Sequence, residues 1–196
     1  MESFYYPQHP PESSYVHVAL FTNVTNASEL RDRLVKAASM AGPEGVAERE
    51  AVDFAFIDAT LVCSTLHLQT AIVSSILAQS QGVLRTKTVH SEILWNLNPT
   101  NNISEAIRRY GIAANASNVL VVKVSSRSDS SAVLQGINDV LSGQVTPLSH
   151  LQSISDWPKI RKYHKIGAKL DKDPGKDLER AHEIVVGSVA TKGVTL

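Results

Sequence analysis

Apolar residues recur along this chain in two rhythms, and each rhythm predicts its own kind of element. Tyr15 to Phe21 and Val119 to Val124 are dense in β-branched and aromatic side chains, which predicts strands; Phe4-Tyr5-Tyr6 and Phe54-Ala55-Phe56-Ile57 predict shorter ones. Pro7, Pro10, Pro11, Ser13 and Ser14 lie between the first two as a turn. Helical spacing begins near Asn26, which can cap a helix with Glu29 completing a capping box, and continues through Leu30, Leu34 and Ala37. Gly42-Pro43-Glu44-Gly45 predicts the end of that helix, and the charged run behind it reads as a solvated loop.

Between Asp58 and Arg85 there is no Asp, Glu, Lys or Arg. His67, Gln69, Gln79, Gln81 and several Ser and Thr make the stretch too polar for lipid, so it reads as a helix buried in protein. Leu66, Val73, Ile76, Leu77 and Ser80 share one of its sides, and Gly82 stops it. His90 to Leu97 predicts a short helix ended by Pro99. Asn102 caps the next, with Glu105 completing the box and Ile103, Ala106, Ile107 and Tyr110 as its apolar face. Gly111 is placed for a left-handed C-cap that folds Ile112 back onto Ile107. Ser128 to Ser142 is amphipathic through Val133, Ile137, Val140 and Leu141, and Asp156 opens a basic helix with Trp157, Ile160 and Tyr163 inside. Asp173-Pro174 starts a last helix that runs to about Ala190. The sum is α/β (α+β): one domain over residues 1–196, a small mixed sheet packed with about seven or eight helices.

Composition narrows the function classes. Net charge is +0 with pI near 7.1, so no whole-molecule field favours nucleic acid, and any such binding must rest on local patches. The lone Cys63 can form neither an internal disulfide nor a multi-thiolate zinc site. Without a basic, apolar leader at Met1 to Pro7, a reducing compartment is expected, cytosol or nucleus, and no membrane. The glycosylation-type triplets at Asn23, Asn26, Asn102 and Asn115 are then coincidental, two of them being caps. No phosphate loop, zinc-protease pair or nucleophile elbow is present. Cys63 and His67 are spaced to share a helical face, as a thiolate–imidazole pair would, but a structural cysteine in an apolar stretch is the plainer reading. No catalytic residue, cofactor or metal is expected.

Binding fits better. Lys159, Arg161, Lys162, His164, Lys165 and Lys169 form a basic run that is either a solvated helix face or a contact for phosphates. Arg85-Thr86-Lys87-Thr88-Val89-His90 places cations and hydroxyls before a helix start, which suits a phosphate or is simply a polar loop capped by Thr88. In the last helix Leu178, Ala181, Val185 and Val189 make one stripe, flanked by Ile184 and Val186. That apolar arc is wider than one internal contact needs, so Ile184 and Val186, with His182, are candidates for a partner surface, supported by the first helix near Leu30.

The segment from Leu84-Arg85-Thr86-Lys87-Thr88 through Ser91-Glu92-Ile93 and Asn96-Leu97-Asn98-Pro99 runs into Asn101-Asn102-Ile103-Ser104-Glu105-Ala106. It resembles the signature of the PRPK-binding protein family, the kinase-binding subunit of the KEOPS (EKC) complex. Asn98 stands where Ser is common and Trp95 where Phe is common. Ala19-Leu20-Phe21 with Asn26 to Arg31, Lys159 to Lys165, and Ala190-Thr191-Lys192-Gly193-Val194 are similar too, so the likeness spans nearly the whole chain. The resemblance implies a fungal-type, non-catalytic subunit that docks on the small atypical kinase/ATPase. Through that kinase it would meet the threonylcarbamoyltransferase subunit, which modifies tRNA beside the anticodon. A telomere link in fungi and residence in nucleus and cytoplasm are implied as well. On that reading the kinase would meet Ile184, Val186, His182 and Leu30. The cations for tRNA would be Arg85, Lys87, His90, Arg108, Arg109, Lys159, Arg161, Lys162 and Lys165. The alternatives are a stand-alone RNA-binding module or a Cys/His-dependent enzyme.

Overall fold

In the computed structural model, which describes residues 1–193, the strands and helices follow one another as β1 (Glu2–Tyr5), β2 (Tyr15–Thr22), α1 (Ala27–Ser39), α2 (Gly42–Ala51), β3 (Ala55–Asp58), α3 (Thr65–Ser80) and α4 (Val89–Leu97). Then come α5 (Ile103–Tyr110), β4 (Val119–Ser125), α6 (Ser130–Asn138), β5 (Gln144–Thr146), α7 (Leu151–Ile154), α8 (Trp157–Tyr163) and α9 (Pro174–Ala190). The class is mixed α/β. Val194, part of the similar C-terminal string, lies outside the described residues. Two compact units emerge: Met1–Asp58 with Gly111–Leu148, and Ala59–Tyr110 with the chain from Ser149 onward.

The first unit holds the sheet, ordered β1-β2-β4-β3, with β5 also on β2. Its pairings are antiparallel: Tyr15 faces Ser125 and Phe21 faces Val119 across β2 and β4, and Ala55 faces Val122 across β3 and β4. β2 and β4 are central, which is why they read as largely apolar runs: Val16 and Val18 to Phe21, with Val119 to Val122, are all buried. Leu30 and Ala37 of α1 and Ile137 of α6 close over Phe21, Phe56, Val119 and Val121.

Two local expectations are corrected here. The charged run after Met40 is helix α2, because its charges are used against α1: Arg49 donates to the Ala37 and Met40 carbonyls at 3.1 and 2.7 Å, and Arg33 pairs with Glu48. The turn between the helices depends on Gly42 at φ +75° and on Gly45, where a Cβ would lie 2.3 Å from the Met40 oxygen. Asn26 is the N-cap residue of α1, yet its side chain does not cap. It donates to Val140 O at 3.1 Å and accepts from Ser142 N at 2.8 Å, tying the start of α1 to the segment after α6. Asn26→Ala is therefore expected to lower stability by about 1–2 kcal/mol, read as a shift in urea midpoint with unchanged slope.

The second unit is helical. α4 and α9 both pack on α3, whose buried side is His67, Leu68, Ala71, Ile72, Ser75 and Ile76; Leu66 and Leu77 face outward, contrary to the side expected. The N-cap of α3 is Ser64, whose side chain accepts from His67 N. Ile103 and Ile107 of α5 are also exposed, while Ala106 and Tyr110 are buried. Gly111 takes no left-handed cap; it forms a β-bridge with Ile57. No helix among the described residues is long and apolar enough to cross a membrane.

Candidate binding surface and its buried supports

The loop before α4 is built by a buried carboxylate. Glu92 is 1% exposed, and it accepts from Arg85 N at 3.0 Å, Thr86 N at 2.8 Å and the Thr86 hydroxyl at 2.7 Å. Thr88 Oγ1 accepts from Ser91 N and Ser91 Oγ from Thr88 N, both at 3.1 Å, a reciprocal capping box. The amides of Arg85, Thr86, Thr88 and Ser91, which could have met a phosphate, are thus taken by the chain's own oxygens. What faces solvent is the pair of exposed cations, Arg85 and Lys87. His90 is 5% exposed, so it belongs to the interior of α4 and not to the cationic surface expected of it.

At the other end of α4 stands Lys192, two residues past α9. It is 5% exposed, and its Nζ donates to Trp95 O, to Asn98 O at 2.6 Å and to Thr100 O at 3.0 Å, 3.8 Å above the Trp95 ring. Trp95 O and Asn98 O belong to the C-terminal end of α4 and Thr100 O follows it, and a cation is favoured at such a helix end. Burial pulls the Lys192 pKa down to about 7, and the nearby Glu92 charge acts in the opposite direction. Three carbonyls and an aromatic face match an ammonium with three hydrogens.

The other expected cations divide. Arg109 is committed to Glu105 at 2.6 Å and lies 4.4 Å over the Tyr163 ring. Arg161 is held by Asp177 at 2.6 Å and by Gly167 O at 2.7 Å. Arg108, Lys159, Lys162 and Lys165 are exposed, although Lys159 reaches Asp156 at 3.6 Å. Asp156 and Asp173 cap α8 and α9 as their positions predict, and Asn102 Oδ1 accepts from Glu105 N at 2.9 Å. The Glu105 side chain leaves the expected box: Thr100 and Arg109 take it, holding its carboxyl below the usual range.

Along α9, Ala181, Val185 and Val189 are buried, and Leu178 is exposed. Ile184 is 44% exposed on the flank of that stripe, and Val186 is half-buried. The His182 ring is turned inward, with Nε2 2.7 Å from Ser64 Oγ. Leu30 is 1% exposed in the sheet unit's core, so it offers no surface; Arg31 and Asp32 beside it do.

Cys63 and His67 do come together, for structural reasons. Cys63 N donates to His67 Nδ1 at 3.4 Å, which leaves the imidazole proton on Nε2, a buried atom with no partner among the described residues. Burial pushes the thiol up to about 12 and the imidazole down to about 3, the charges of His164 and His182 adding to the latter. Proton transfer from this thiol to this ring is strongly uphill, the reverse of what an activated thiolate requires. Among the described residues no group of three or more His, Cys, Asp and Glu could hold a metal ion.

Sequence reasoning overlooked Lys192 and Glu92. Each carried a signal: Lys192 continues the Val185–Val189 stripe, and Glu92 shares the buried side of α4 with Val89, Ile93 and Asn96. A charged residue at a core position announces a buried partner.

The chain belongs to the CGI-121 kinase binding protein family, whose model matches residues 21–193. It is 33% identical to an EKC/KEOPS complex subunit CGI121 from Cryptococcus neoformans, covering 99% of this chain and all of that protein. The Aspergillus fumigatus subunit of the same name is 34% identical over 95% of this chain and 94% of its own. A Kluyveromyces lactis relative is 33% identical over 68% of this chain and 74% of its own.

Proposed function

We propose that this protein is the kinase-binding, non-catalytic subunit of a KEOPS/EKC-type complex. It docks on the small atypical kinase/ATPase through Ile184 and the half-buried Val186 of α9, and meets the threonylcarbamoyltransferase subunit through that kinase. In the same assembly its exposed cations Arg85, Lys87, Arg108, Lys159, Lys162 and Lys165 help to hold the tRNA that is modified beside the anticodon. Work in nucleus and cytoplasm, and a part in fungal telomere maintenance, belong to this reading.

The observation that carries it is the family match over residues 21–193, joined to relatives covered end to end and named as subunits of that complex. The RNA part is supported by the way Glu92 fixes the backbone at Arg85 and Thr86, which leaves both neighbouring cations pointing outward. Co-purification with the kinase tests the first part. The second is tested by reversing Arg85 and Lys87 to Glu and measuring tRNA affinity against salt. Each lost phosphate contact is expected to flatten the log–log slope by about 0.7 to 0.9. An unchanged slope would show these cations to be ordinary solvated groups.

A further inference from the structure

α4 is held at each end by one buried charge. At its start Glu92 gathers the amides of Arg85 and Thr86, and at its end Lys192 gathers the oxygens of Trp95, Asn98 and Thr100. Between them α4 is rigidly seated: Val89, Glu92, Ile93, Trp95, Asn96 and Leu97 are buried, and Asn96 Nδ2 donates to Ser75 Oγ of α3 at 2.8 Å. Lys192 is covalently the continuation of α9, the helix that carries Ile184. A short, hydrogen-bonded path therefore runs from α9 through Lys192 and α4 to Glu92 and the loop with Arg85 and Lys87.

The choice of lysine at this position is costly. Desolvating an ammonium is unfavourable, and an apolar side chain could fill the same space at comparable or better stability. What a lysine adds is directional attachment: three carbonyls fix where the end of α9 sits on α4. In some proteins buried charges of this kind set one arrangement over its neighbours, and the latch proposed below is a case of that use.

We propose that Lys192 is a latch coupling the two binding surfaces, so that a kinase seated on α9 steadies the Arg85–Lys87 loop for RNA. The inference rests on the kinase-docking and RNA reading above and adds to it how the two sites communicate. Coupling of this kind is reciprocal: RNA on the loop tightens kinase binding by the same factor. Loosening Lys192 releases the end of α9 from α4, and then a load on α9 no longer reaches Glu92.

Hydrogen exchange on the full chain reads the latch without RNA present. Saturating the wild-type protein with the purified kinase subunit is expected to slow exchange of the Arg85 and Thr86 amides at least fivefold. Lys192→Met should bind kinase within threefold of wild type and lose that protection. tRNA titration with and without kinase should likewise show at least fivefold coupling in wild type and less than twofold in Lys192→Met. Where Lys192→Met fails to fold, Lys192→Gln, which keeps two donors on a shorter arm, takes its place, and kinase protection of the two amides should fall to less than half of the wild-type factor. Wild-type amides that ignore bound kinase would overturn the latch and leave kinase docking standing. Protection that persists in the folded variant would overturn the role of Lys192. A wild-type chain that does not bind the kinase would overturn both this inference and the reading beneath it.

Discussion

Replacing Ile184 with aspartate is expected to weaken kinase binding by about 2–4 kcal/mol, roughly 30- to 1,000-fold in Kd. The residue is a β-branched apolar side chain, 44% exposed, at the edge of the buried Ala181, Val185 and Val189 stripe. In the proposed docking it would be a central apolar anchor, and a carboxylate there would have to be desolvated. The isolated subunit should stay within about 0.5 kcal/mol of wild type, because solvent already reaches the position. Val185→Asp is the contrasting variant: Val185 is 0% exposed, so that change should unfold the helical unit itself. Calorimetric titration with the kinase, beside a urea melt of each variant, separates the two effects. If Ile184→Asp binds with wild-type affinity, the kinase lies elsewhere.

Long, periodic elements were legible in the sequence because one interaction dominates each. β2 and β4 are mostly apolar since they lie at the centre of the sheet, and α5, α8 and α9 announce themselves by a capping side chain followed by spaced apolar residues. Illegible elements are those where two distant segments trade partners. α2 has weak apolar spacing and is held by Arg33–Glu48 and by Arg49 on the end of α1, so its charges mimic a solvated loop. β5 is three residues long and exists through its register with Leu20, Phe21 and Thr22. The same reasoning explains the candidate surface. Local charge marked Arg85 and Lys87 correctly as exposed, but it could not separate them from Arg109 and Arg161, whose partners are Glu105 with Tyr163, and Asp177. A cation's role is set by what stands across from it, and spacing along the chain does not carry that information.

Acidification is expected to destabilise the protein well before its carboxylates protonate. His67 is buried with its pKa down at about 3, and burial, with Lys192 and Arg109 nearby, brings His164 down to about 4. Both rings are needed neutral. His67 takes the Cys63 amide on Nδ1, and its ring packs edge-on against His164 at 6.1 Å. His164 is held at both nitrogens, 3.0 Å from the Tyr110 hydroxyl and 3.1 Å from Ser188 Oγ, so it ties α5 and α8 to α9. In the unfolded chain a histidine takes up its proton near pH 6.5. A depressed folded value means that the stabilisation is fully present above pH 6.5 and is lost as pH falls toward the folded values. Each ring contributes a slope approaching 1.4 kcal/mol per pH unit, so two rings lose at most about 4 kcal/mol between pH 7 and pH 5. Glu48, Glu105, Asp129 and Asp177 are also held below their ordinary values, but the loss they cause lies below about pH 4.5, outside this window. Urea melts at half-unit steps from pH 7 to pH 5 should therefore show stability falling with a slope that steepens toward two protons as pH 5 is approached. His67→Phe, an apolar ring of similar shape that cannot titrate, should remove about one proton of that slope while leaving the tRNA salt dependence unchanged. A stability curve flat from pH 7 to pH 5 would mean that the two rings titrate normally in the folded chain, and that the cluster of α3, α5, α8 and α9 is open to water.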